Sequence, residues 1–124
     1  MSKDEYGSEE ELYTAYFRKM NEIEEKREYA ESQLRKLDEE QEIYNDIYRE
    51  LHYFFRETAE HCQEDAFISY LEEHEDEFHD CRTKVDHELE EKCESLEREL
   101  RDTYEKEEQL RAFMRNEKYK LENK

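Results

Sequence analysis

Apolar and aromatic residues recur along this chain in alternating steps of four and three. From Tyr16 the steps land on Met20, Ile23, Arg27, Ala30, Leu34, Leu37, Gln41, Tyr44, Tyr48, Leu51 and Phe55, interrupted only by Arg27 and Gln41. This is the a/d spacing that keeps one side of a helix against a neighbouring helix. Ile43, Ile47 and Phe54 widen the stripe near its end, as expected of a helix that meets more than one neighbour. A second series runs through Phe67, Leu71, His74, Phe78, Cys81 and Val85. It continues with Leu89, Cys93, Leu96, Leu100, Thr103, Glu107, Leu110, Met114 and Leu121. The eleven-residue step from Val85 to Leu96 is a four-residue stutter, which relaxes a left-handed supercoil without ending the helix.

The pattern predicts a helix over about 8–60, a turn at about 60–65 and a helix over about 65–121, in a single domain spanning 1–124. Ser8-Glu9-Glu10-Glu11 matches a capping box at the first helix start. Asp65, just before Ala66 and Phe67, is placed to accept from the free amides of the second helix. Glu22 with Lys26, Glu31 with Arg35, Glu94 with Arg98, Glu97 with Arg101 and Glu107 with Arg111 have the favourable order for ion pairs four residues apart.

A single Gly and no Pro leave the break to be argued from charge and apolar surface. An uninterrupted rod is the rival, because the seam also runs through Thr58 and Cys62. Folding back instead sets acidic Asp4, Glu5, Glu9, Glu10 and Glu11 beside basic Arg111, Arg115, Lys118, Lys120 and Lys124. It also gathers Tyr53, Phe54 and Phe55 with Phe67, Ile68, Tyr70 and Leu71 at the turn, where core packing is the plainest reading of the aromatics. The expected fold is therefore all-α: an antiparallel two-helix hairpin, a long coiled coil. Two helices cover only part of each other's apolar faces, so Ile43, Ile47, Tyr48 and Phe54 are expected to need a partner that completes a bundle.

Composition narrows the kind of partner. The net charge of −19 repels phosphate backbones and anionic lipid, which argues against nucleic acid and the membrane surface. No run of 18 apolar residues predicts membrane insertion. The acidic opening MSKDEYGSEE lacks the apolar stretch of a Sec-type signal, so a cytoplasmic location is expected. Cys62, Cys81 and Cys93 lack zinc-like spacing and suit reduced thiols at helix positions. From Glu57 to Cys81 there is no Lys or Arg while ten carboxylates accumulate, either as a solvated face or as a patch that steers a basic surface.

Catalytic chemistry is not signalled. There is no phosphate-binding Gly-rich loop, nucleophile elbow or Cys/His pair of catalytic spacing. His74, His79 and His87 stand among carboxylates, and Asp76 with His79 has the spacing of half a di-iron site. The repeated Glu-x-x-His that a di-iron bundle needs is missing, so no metal or other cofactor is expected and the chain is not expected to be an enzyme. His74, on the seam, reads as a packed histidine.

The stretch FHDCRTKVDHELEEKCESLERELRDTYEKEEQLRAFMRNEKYKL, Phe78 to Leu121, follows an aromatic mid-chain segment and a first helix of equal length. In length, helix layout and heptad texture the chain resembles the small helical proteins associated with LXG toxins of the Gram-positive type VII secretion system. Those proteins are similar in design to the WXG hairpins. The resemblance implies a chaperone or targeting factor that packs against the helical domain of an LXG toxin, commonly with a second small helical protein, and is exported with it or remains in the cytoplasm. It also implies a late secretion signal of aromatic-x-x-x-acidic type, read at Phe113 with Glu117, with Tyr104 and Glu108 as a second match. The Trp-x-Gly turn of the WXG hairpins is absent, since the chain has no Trp. The alternative is a self-assembling coiled-coil scaffold or homodimeric adaptor.

Overall fold

A computed structural model describes residues 8–123 of the protein. The chain is all-α, with helix α1 over Glu9–His61 and helix α2 over Asp65–Glu122, and the two helices pack against each other. α1 begins where the capping box places it: the Glu11 amide donates to Ser8 Oγ at 3.2 Å and the Leu12 amide to the Ser8 carbonyl at 3.2 Å. α2 starts differently from the expectation for Asp65. The Ile68 amide donates to the Glu64 carbonyl at 3.0 Å, so Glu64 holds the cap position and Asp65 is the first helical residue. There its carboxylate still favours the positive end of the helix dipole.

Cys62–Glu64 separates the helices without glycine, and no described residue adopts a positive φ. α1 tightens as it ends, with the Cys62 amide donating to the Ala59 carbonyl at 3.4 Å. Such i→i+3 closure is a common way to finish a helix that lacks a left-handed cap residue.

Packing groups the chain into two compact units. The terminal unit comprises the chain up to Gln33 together with the chain from Leu96 onward; the turn unit is Leu34–Ser95. In the terminal unit the core is Leu12, 1% exposed, with Met114, and Tyr13, Ala15, Tyr16, Phe113 and Leu121 pack around it. Burying a leucine of that size contributes about 1.5–3 kcal/mol. Lys118 lies over the Tyr13 ring with Nζ 5.9 Å from its centroid. Contact with the Tyr13 side chain first, then the Glu122 and Glu9 carboxylates, hold that ammonium above its ordinary pKa. Of the expected charge pairing, Glu9 acts on Lys118 across the helices, whereas Arg111 pairs with Glu107 and Lys120 with Glu117 within α2; Asp4, Glu5 and Lys124 lie outside the described residues.

In the turn unit the helices meet through Tyr48, Phe55, Leu71 and Phe78, with Tyr48 and Leu71 buried. Phe78 sits 5.0 Å from the Tyr48 ring and 6.0 Å from the Phe55 ring, centroid to centroid. Arg82 covers the Tyr48 ring at 5.2 Å. The aromatic gathering at the turn is thus narrower than expected. Tyr53, Phe54, Phe67 and Tyr70 remain exposed, and Phe54 pairs with Phe55 and Phe67 with Tyr70 along their own helices. A single helix–helix seam admits one stripe from each partner, and these four residues largely lie beside it.

Candidate protein-interaction face

Successive residues of an α-helix are 100° apart, so side chains at 43, 47, 51 and 54 fall within about 80° of one another. On α1 these are Ile43, Ile47, Leu51 and Phe54. Ile43 and Phe54 are each 57% exposed and Ile47 45%. The same geometry places the stripe roughly 100° around the helix from the Tyr48–Phe55 seam. It is a second apolar face, left open by the pairing of α1 with α2 inside the turn unit. Glu39, Asp46, Glu50 and Glu57 flank it on one side of the same helix by the same helical angles. Tyr53 on that flank donates its hydroxyl to Glu57 Oε1 at 2.7 Å, and this bond, ahead of the carboxylate's charge, raises the phenol pKa.

Tyr48, read with this stripe in the sequence, is not part of the open face. At 7% exposed it faces Phe78 in the seam, 100° from Ile47. Its phenol pKa is raised, chiefly by burial and secondarily by Asp86. Phe113 and Glu117 belong to the terminal unit. Phe113 is half-buried against the Leu12–Met114 core, and Glu117 accepts from Lys120 Nζ at 3.3 Å. The geometry therefore gathers Ile43, Ile47 and Phe54 into one surface and places Phe113 and Glu117 in local packing of their own.

The terminal unit contains a polar constellation that seam periodicity alone did not assemble. Arg27, the first interruption of the α1 seam, meets Thr103 and Glu107, the polar positions of the α2 seam. Arg27 Nε donates to Thr103 Oγ1 at 3.4 Å, while Arg27 is also hydrogen-bonded and ion-paired to Glu107 Oε2. Arg111 donates to the other Glu107 oxygen at 2.6 Å, and the Arg27 guanidinium stacks 4.2 Å over Tyr104. Thr103 also donates to the Leu100 carbonyl at 2.6 Å. Thr103 and Glu107 are buried, and no buried side-chain polar atom among the described residues lacks a partner. The Arg27 hydrogen bond is the first cause holding the Glu107 carboxyl below its usual range, with the Arg27 and Arg111 charges adding to it. Burial opposes that shift. Such a pair contributes less to net stability than to alignment, since a shift of register separates Arg27 from its partners. The signal that could have found it was two polar interruptions of opposite charge on facing seams.

A groove of about 600 Å³ borders this constellation, lined by Glu22, Ile23, Lys26, Tyr29, Glu99 and Lys106 among others. Both charge signs are present, and Lys106 pairs with Asp102 at 3.0 Å. Its lining includes no His, Cys or Ser, the side chains that supply the commonest nucleophile–base pairs.

In the turn unit, His52 of α1 comes together with Glu75 and His79 of α2. His52 Nδ1 lies 3.1 Å from Glu75 Oε1, and one ligating atom from each of the three residues falls within 4.8 Å of the others. His74, singled out on the seam, packs edge-on against Tyr70 at 4.3 Å, and its Nδ1 lies 3.5 Å from Glu77. His87 pairs with Glu91 at 3.1 Å on an exposed surface. No described helix is long and apolar enough to cross a membrane. No protein-family model matches the chain, and no curated protein or solved structure matches it.

Proposed function

We propose that the protein is a non-catalytic binding factor whose turn unit docks a helical partner on the Ile43–Ile47–Leu51–Phe54 face of α1. The observation that carries this reading is the exposure of that face. Four large apolar side chains share one side of a helix whose other apolar side is already occupied. Surfaces of this kind are characteristic of partner-binding grooves. The acidic flank selects the partner's chemistry: an amphipathic helix with an apolar stripe and basic residues beside it. The net charge of −19 opposes close approach of a second copy of the same acidic surface, which favours a heteromeric partner over self-assembly.

Within that class, the layout resembling LXG-associated proteins supports the helical domain of an LXG toxin as the partner, with this chain as its chaperone or targeting factor. The test is co-purification with such a domain, followed by sedimentation of the complex. Retention at a defined stoichiometry that Ile47→Glu with Phe54→Glu abolishes, at unchanged helicity, supports the reading. No retention counts against the toxin assignment. A homodimer that dissociates in the same double variant would favour the self-assembling alternative.

A further inference from the structure

We infer that His52, Glu75 and His79 form a divalent metal site of the zinc class, binding one ion that ties α1 to α2 within the turn unit. Glu75 and His79 are four residues apart and therefore neighbours on one face of α2. His52 reaches them from α1, placing Nδ1 3.1 Å from Glu75 Oε1. Tetrahedral zinc, with bonds of about 2.0–2.2 Å, requires its donor atoms to lie roughly 3.3 Å apart. The His52–Glu75 pair is already at this spacing. The 4.8 Å limit on the whole trio leaves His79 to close the remainder by side-chain rotation.

Two imidazoles and one carboxylate make the donor set. Imidazole suits zinc-type ions, whereas magnesium and calcium sites are built from oxygen. Three protein ligands leave a fourth position for water, as in open zinc sites. Entry is available from solvent: the His52 side chain is 44% exposed, Glu75 28%, and His79 is exposed. The surrounding sequence supplies a field that suits a cation. On the α2 side no Lys or Arg occurs up to Cys81, and Glu72, Asp76 and Asp80 add negative charge nearby in the sequence, while on the α1 side Arg49 and Arg56 lie within a turn of His52. The lack of basic residues in this segment, unexplained by helix pairing, acquires a role. A simple His–Glu ion pair needs two of these residues; the convergence of three across two helices is what distinguishes a chelate.

The test is calorimetric titration of the full chain with Zn²⁺ alone and, in parallel, with Mg²⁺ alone. The expected result is one Zn²⁺ per chain, no comparable Mg²⁺ binding, and a rise in thermal midpoint on adding Zn²⁺. His52→Ala, Glu75→Gln and His79→Ala should each abolish the binding step and the thermal rise while circular dichroism remains helical. His87→Ala should leave both intact. Substituting Co²⁺ should give a spectrum without thiolate charge-transfer bands. Absence of stoichiometric Zn²⁺ binding, binding that survives His52→Ala, or a thiolate spectrum involving the cysteines would each overturn the site.

Discussion

The terminal and turn units close the same kind of seam with different chemistry. The terminal unit buries Leu12 and Met114 and adds a satisfied polar cluster of Arg27, Thr103 and Glu107. The turn unit relies on Tyr48, Phe55, Leu71 and Phe78, and leaves Ile43, Ile47 and Phe54 open beside that seam. One unit spends its polar seam residues on fixing alignment; the other exposes apolar surface that its own helices do not cover. The difference separates a seam that is closed from an apolar face that is left open, where the proposed partner would dock.

The sharpest way to break the comparison lies in two consecutive residues. Tyr48→Glu removes a buried ring from against Phe78 and puts a carboxylate in the turn-unit seam, so it should cost at least the about 3 kcal/mol of a large aromatic truncation, seen as lost helicity in thermal melts. Leu12→Ala in the terminal unit should cost about 3 kcal/mol, measured by chemical denaturation, because the leucine is nearly fully buried. If unfolding of the two units is separable, hydrogen exchange should show each substitution lowering protection most in its own unit.

The polar cluster gives smaller but more diagnostic effects. Arg27→Met and Glu107→Leu should each lower the denaturation midpoint by leaving a charged group without its main partner. Combining them should recover much of the loss, because a well-packed apolar pair often replaces a buried ion pair at little cost. Acid should act similarly. The folded Glu107 carboxyl is held below its usual pKa, so its contribution is present above the ordinary carboxylate range. That contribution is lost as pH falls through the lowered folded value. A melt series below about pH 4.5 should therefore show a weakening that Glu107→Gln reduces.

The smallest expected effect on stability comes from Ile47→Glu, which should change it by no more than about 0.5 kcal/mol because the side chain lies outside the seam. Its proposed consequence is for binding. Tyr48→Glu and Ile47→Glu thus sharpen the contrast: neighbours in sequence, about 100° apart around the helix, with opposite readouts.

Much of this was legible in the sequence. The alternating four-and-three pattern specifies two helices that pack together, and Ser8 caps α1 through the bond its motif predicts. Met20, Ala30, Leu71 and Met114 lie buried where the pattern places them. The pattern puts Tyr48 on the seam and Ile47 beside it, as the structure has them, but it does not report how far one neighbour reaches around a helix, so it also counts Phe67, which stays exposed, as a seam residue. It also treats each helix alone. The meetings of Arg27 with Glu107 and of His52 with Glu75 and His79 depend on the pairing of two helices and emerge only once that alignment is known. Similarly, Asp65 has the side chain of a cap residue, but the chain leaves the turn one residue earlier and gives that position to Glu64.

The division between a held seam and an open face is tested most directly by residue-resolved hydrogen exchange of the full chain, free and saturated with a co-purifying LXG helical domain. The account predicts new protection centred on Ile43 to Phe54 in the complex, with little change around Arg27 and Glu107. Protection gained around Arg27 and Glu107 while Ile43 to Phe54 exchanges as in the free chain would contradict it.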